Sequence, residues 1–184
     1  MIKKIVTDKS LLRLKSEKSE INERSVAVGE NLKDTLVGTW SSLTKGFAIA
    51  APQIAEFERI IAVANDGENP DGIEIMFNPV ITEKAGRQVF WEKCLSGPLE
   101  MSRVERPYRV KVEYFDSGKN KKAVVGEGMN AIVLCHEIDH LDGIICQDIA
   151  EKNVVSETYE ESARLKVQLR TDEPLLVLDK EGLW

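Results

Sequence analysis

Val28, Leu32, Leu36, Val37, Trp40 and Leu43 recur at helical spacing and predict an amphipathic helix over residues 26–43. Residues 8–24 before it are mostly polar, with Leu11, Leu12 and Leu14 as the expected apolar anchors. The small-residue run "KGFAIAAPQ" (45–53) reads as a loop stopped by Pro52. "RIIAVA" (59–64) has the continuous apolar character of a buried strand, and "NDGENPDG" (65–72) is a turn-rich surface loop. "IEIMFNPVIT" (73–82) and "RQVFWE" (87–92) read as strands, with a turn near Gly86. "YRVKVEYFD" (108–116) alternates Val110, Val112 and Tyr114 with polar neighbours, as a half-buried strand does. "SGKN" turns the chain, and "KKAVVG" (121–126) returns as the second arm of a hairpin. Ala131, Leu134, Ile138 and Leu141 mark a helix over roughly 129–142, stopped at Gly143. A second amphipathic helix is expected over about 154–169, and "PLLVLD" (174–179) is a candidate last strand. Strands joined mostly by short turns precede the first of these helices. The expected class is therefore α+β, antiparallel sheets packed around a central helix, in one domain spanning 1–184.

Composition adds little beyond this. The chain has 184 residues, 42% apolar and 30% charged, without repeats or low-complexity linkers, enough for a real core. A net charge of −6 argues against a large nucleic-acid footprint. No apolar run approaches membrane-spanning length, and the start, "MIKKIVTDKSLL", is too short in its apolar part for a secretory signal. Three cysteines, an odd number, do not build a disulfide framework and point to free thiols in a reducing cytoplasm.

The candidate chemistry lies in "CHEIDHLDGIIC" (135–146), which holds both histidines of the chain. At i and i+4 of a helix, His136 and His140 stand side by side and both reach one cation, and Glu137 lies about 100° round the helix from His136. That is the layout for metal-assisted hydrolysis with a carboxylate to take a proton from water. Cys135 falls away from this sector and reads as a core thiol. A third protein ligand is required, and three sources compete. Cys146 occupies the last place of a metzincin-like spacing, although "IICQDI" looks like a strand entering the core. Glu157, Glu160 or Glu161 would complete a two-histidine, one-glutamate peptidase site, although their segment reads as a solvated face. Cys94 follows the strand "RQVFWE", a rigid place from which to present a thiolate.

Three stretches in order resemble the peptide deformylase family. "HEIDH" (136–140) matches that family's H-E-x-D-H completely. "EKCLS" (92–96) matches E-G-C-L-S except that Lys93 replaces a glycine, and Pro98 fits the usual continuation. "GFAIAAPQ" (46–53) matches G-x-G-x-A-A-x-Q except that Ala48 replaces the second glycine. "ERP" (105–107) is similar to the segment in which the family's arginine pairs with the motif-two glutamate, here Arg106 with Glu92.

The resemblance implies one divalent metal held by Cys94, His136 and His140, ferrous iron first, with zinc, nickel or cobalt also suited to the donors. It implies hydrolysis of the N-formyl group of formyl-methionyl nascent peptides. Glu137 would take the water proton and pass it to the leaving amine, while the Gln53 amide and the Leu95 N–H would steady the oxyanion. Gly46, Phe47, Ala48 and Val133 would line the peptide cleft. The partner implied is the formyl-methionyl peptide, met transiently at the ribosome, although no strongly basic tail is present for docking to ribosomal RNA. Neither nucleic acid nor membrane is an expected partner. Lys93 raises a specific question: it either strains a left-handed backbone position or projects to solvent or toward an acidic or C-terminal group of a substrate. A metallopeptidase, or a drifted metal-stabilised module that captures peptide N-termini, is the alternative.

Overall fold

The computed structural model describes residues 1–40, 46–65 and 69–179. Its helices are α1 (Lys9–Leu12), α2 (Glu23–Thr39), α3 (Met129–Leu141), α4 (Cys146–Ile149) and α5 (Tyr159–Asp172). Its strands are β1 (Ala48–Ala50), β2 (Ile60–Ala64), β3 (Ile73–Ala85), β4 (Arg87–Glu92), β5 (Glu100–Arg106), β6 (Arg109–Phe115), β7 (Lys121–Glu127), β8 (Lys152–Val155) and β9 (Leu176–Asp179). Two antiparallel sheets result, in the orders β1-β2-β3-β6-β7 and β8-β5-β4-β9.

β2 is apolar throughout because both of its faces are covered. Ile61 and Val63 join Val110, Val112 and Tyr114 of β6 beneath the α3 stripe Ala131, Leu134, Ile138 and Leu141. Ile60 and Ala62 point the other way, onto Val28, Leu32 and Leu36 of α2. The five-stranded sheet is thus sandwiched between the two long helices, and burial of each large side chain contributes on the order of 1.5–3 kcal/mol. Asn22 starts α2 with a capping box: its side chain accepts the Ser25 N–H at 3.1 Å, and the Ser25 hydroxyl accepts the Asn22 N–H at 2.8 Å. α3 ends where Gly143 takes a left-handed φ of 73°, and a Cβ there would lie 2.5 Å from the Arg13 carbonyl oxygen.

Several expectations need correction. Leu12 alone of the three leucine anchors is buried; Leu11 and Leu14 are exposed. The stretch 45–53 is not all loop, because β1 pairs with β2 and a 3₁₀ turn, Ala51–Ile54, follows it. "IICQDI" is no strand: α4 begins at Cys146. The helix expected from 154 begins at Tyr159, because Lys152–Val155 pair with β5 as β8. β5, rich in charge, was not anticipated. Leu43, Lys45 and positions 66–68 lie outside the described residues.

Candidate active site

The second sheet delivers a cysteine to the central helix. β4 ends at Glu92, and the chain then turns tightly, with the Gly97 N–H donating to the Cys94 carbonyl at 3.1 Å. Cys94 Sγ thereby reaches His140 Nε2 at 3.2 Å. One ligand atom each of Cys94, His136 and His140 lie within 4.8 Å of one another, and all three residues are buried. The two imidazoles meet edge to face with centroids 5.0 Å apart.

A buried ion network fixes this arrangement. Glu92 accepts the Nδ1–H of His136 at 2.8 Å. Arg106, from β5, donates to the same carboxylate at 2.7 and 3.0 Å and also pairs with Asp139 of α3. Glu92 therefore ties β4, β5 and α3 together and leaves His136 Nε2 to face Cys94 and His140. Burial alone would raise the Glu92 carboxyl, but hydrogen bonds from His136 and Arg106 outweigh it and hold the group at about 2. Burial likewise opposes ionisation of Cys94, yet His140 and His136 hold its thiol well below the ordinary range. Glu137 goes the other way. Complete burial pushes its carboxyl up to about 7, and its Oε2 has no hydrogen-bond partner among the described residues.

Gln53 is 1% exposed, so a free surface position is excluded. Its Oε1 accepts the Ala50 N–H at 2.8 Å, which turns the NH₂ toward Cys94 Sγ at 3.4 Å and Ser96 Oγ at 3.2 Å. Gly46 sits against Leu95; a Cβ there would stand 2.8 Å from the leucine side chain. Gly46, Phe47 and Ala48 form one wall of a cleft that reaches Cys94 and His136. Val133 lies on another wall with Met129 and Ile132 of the same helix, while Phe90 of β4 and Lys166 and Arg170 of α5 complete the lining.

The rival third ligands fare differently. Cys146 forms a second close group with Glu92 and His136, but burial raises its thiol to about 11, and Glu92 is already committed. Glu157, Glu160 and Glu161 are exposed, and Glu161 accepts the Glu157 N–H at 2.7 Å. None of them joins a close ligand group among the described residues. Cys135 is a buried core thiol raised by burial to about 11.

Comparison with known proteins decides the family. The profile of polypeptide deformylases matches residues 2–155. The chain belongs to the polypeptide deformylase family. The peptide deformylase of Finegoldia magna is 36% identical over 157 residues, covering 84% of this chain and 90% of the relative. A crystal structure of the Legionella pneumophila peptide deformylase superposes with a TM-score of 0.72 at 27% identity, covering 94% of this chain and 96% of that one. The Acinetobacter baumannii class I type b peptide deformylase, solved with Met-Ala-Ser bound, gives a TM-score of 0.70 at 27% identity over 80% of this chain and 98% of its own. The protein is accordingly a deformylase, an enzyme that removes the N-formyl group from nascent peptides, with the divalent metal its family implies.

Against that family, Lys93 resolves into a definite conformation. Its φ is not left-handed, so no glycine-only geometry is strained. Its ammonium instead donates to Ser162 Oγ at 2.8 Å, and Ser162 donates in turn to the Pro98 carbonyl at 2.9 Å. Burial, and then the charges of Lys166 and Arg170, hold the ammonium below the ordinary lysine range. Sequence reasoning missed Ser96, Phe90, Met129, Ile132, Lys166 and Arg170. Helical spacing carried the signal for Met129 and Ile132, which sit two turns and one turn before His136; Lys166 and Arg170 have the i, i+4 spacing of an ordinary solvated pair.

Proposed function

We propose that Cys94, His136 and His140 hold the deformylase metal, ferrous iron first, and that Glu137 is the general base. The carrying observation is the close group of one thiolate and two imidazole donors beside a buried carboxyl at about 7. The donor set fits such an ion. The Cys94 thiol ionises easily, His136 is oriented by Glu92, and thiolate with imidazole suits iron, zinc, nickel or cobalt. When bound, the metal acidifies a water and polarises the formyl oxygen.

The chain's own residues do the rest. Glu137 takes the proton of the attacking water at its unpartnered Oε2 and returns it to the amine as the C–N bond breaks. A carboxyl near 7 suits both halves of that transfer. The Gln53 NH₂, locked by the Ala50 N–H and lying beside Cys94 Sγ, would be one donor to the oxyanion, and the Leu95 N–H, which nothing accepts among the described residues, would be the second. Each such donor is worth about 3–4 kcal/mol in comparable sites. Met129, Ile132, Val133 and Phe90 supply an apolar wall for a methionine side chain, with Gly46, Phe47 and Ala48 along the peptide. Glu92 and Arg106 are the pair that positions His136. The working unit is one catalytic domain, 1–184, since α5 and β9 both build onto β4. Three buried free thiols support a cytoplasmic setting, and no helix of the described residues is long and apolar enough to cross a membrane. Encounter with formyl-methionyl chains at the ribosome would be transient.

The test is formate release from formyl-methionyl-alanyl-serine by protein purified without oxygen and loaded with ferrous iron. Turnover is expected in the wild type and not in Glu137→Ala. A metal-loaded wild type that releases no formate would overturn the reading.

A further inference from the structure

The cleft over the metal ligands has an asymmetric charge. Lys93, Lys166 and Arg170 all line it, and among the described residues its acidic lining is Glu92 and Glu137. Glu92 is consumed by Arg106 and His136, and Glu137 is the base proposed above. Two of the three cations come from α5, which lies wholly beyond the segment 2–155 shared with the family profile. The third stands where the family has glycine and reaches across to the same helix.

Two of the three cations are visibly held in place from behind. Arg170 donates from Nε and Nη2 to the Trp91 carbonyl at 3.1 and 2.9 Å and stacks over the Phe90 ring at 4.5 Å. Lys93 is tethered to Ser162. These partners are neutral, so they orient the cations without cancelling them, and neither Lys93 nor Arg170 forms a salt bridge with a carboxylate among the described residues. Lys93 and Arg170 are like charges, both partly buried in this cleft, and an arriving anion relieves their repulsion as well as gaining hydrogen bonds.

We propose that this cationic wall recognises a carboxylate carried by the substrate beyond its formyl-methionine, making the enzyme selective for acidic peptide starts. The inference rests on the deformylase reading of the cleft. The carboxylate has two sources, an aspartate or glutamate side chain or the terminus of a short peptide.

The experiment compares kcat/KM for formyl-methionyl tripeptides with Glu or Gln at the second or third position, each as free acid and as C-terminal amide. The wild type should favour Glu over Gln in the amidated series by about fivefold at low salt, an advantage that shrinks as ionic strength rises. If the terminus is the source, free acids beat amides by a similar factor and Glu and Gln perform alike. Lys166→Glu should reverse the preference, and Lys93→Gln should weaken it. The readout is the ratio between peptides within one protein, so metal loading and folding cancel. Equal ratios for wild type and Lys166→Glu, with formate released from every peptide, would overturn the cationic wall alone. No formate from any peptide would overturn the deformylase reading with it.

Discussion

Glu92 Oε2 lies 2.8 Å from His136 Nδ1, and the same carboxylate is gripped twice by Arg106. One buried acid therefore both orients the His136 imidazole and neutralises an arginine that is 6% exposed. Glu92→Ala should weaken metal binding by about 10–100-fold, read by chelator competition, because the imidazole loses its orienting acceptor. It should also destabilise the fold by about 3–5 kcal/mol, since Arg106 keeps only Asp139. The pH sign follows from the carboxyl's shift from 4.5 to about 2. Its stabilisation is present above the unfolded value and is lost as pH falls through about 2. The variant should therefore show a flatter acid limb in urea melts between pH 5 and pH 2.

Cys94→Ser removes the one thiolate aimed at both histidines, and tight binding of one metal per chain should disappear, as read by elemental analysis after gel filtration. Cys146→Ser should keep that metal, because the Cys146 thiol, raised to about 11, is a poor ligand at neutral pH. Metal retained in the first variant and lost in the second would move the ligand set to Glu92, His136 and Cys146.

Glu137→Gln separates catalysis from stability. Burial raises the Glu137 carboxyl from 4.5 to about 7, so the folded protein favours the protonated form. The penalty is absent below the unfolded value and grows as pH rises toward 7. At pH 8, metal-free Glu137→Gln should be more stable than metal-free wild type by about 2–3 kcal/mol, with no gain at pH 4. Turnover should fall by about 10² or more. In the wild type, kcat/KM should rise with pH on a limb set by this carboxylate. The limb should lie below 7 in the loaded enzyme, because a cation nearby favours the ionised form. Equal stability of wild type and variant across pH 4–8 would sink the assignment of a strained carboxyl.

The sequence was most legible where periodicity and chemistry coincide. α3 carries its core stripe and its histidine pair on different sectors of one helix, and the spacing of both was visible. β6 alternated cleanly because it is covered on one face. β5 escaped because "EMSRVER" buries Ser102 and Arg106 along with Met101 and Val104; the burial of Arg106 is explained only by Glu92 and Asp139, which are distant in sequence. Gln53 had no local signal at all. Its burial depends on the β1 turn folding back under Cys94, and only the family resemblance drew it into the site. Lys166 and Arg170 were invisible for the opposite reason: charged residues on a surface-looking helix announce nothing until β4 is found beneath them.

Gln53 offers the most discriminating pair of variants. Its carbonyl accepts the Ala50 N–H and its amide nitrogen faces Cys94 Sγ and Ser96 Oγ, so anchoring and oxyanion donation reside at opposite ends of one side chain. Gln53→Glu keeps an acceptor for Ala50 but replaces the donor with an anion beside the Cys94 thiolate. Gln53→Ala loses both ends and leaves a buried N–H without a partner, at a cost of about 1–3 kcal/mol. If the amide acts on the transition state, both should lower kcat by about 10²–10³ while KM changes little. Both should lower the melting temperature, Gln53→Ala through the lost anchor and Gln53→Glu through an unpaired anion at a fully buried position. If the side chain merely holds the turn, Gln53→Glu would retain near wild-type kcat, and the oxyanion role would pass to the Leu95 N–H alone.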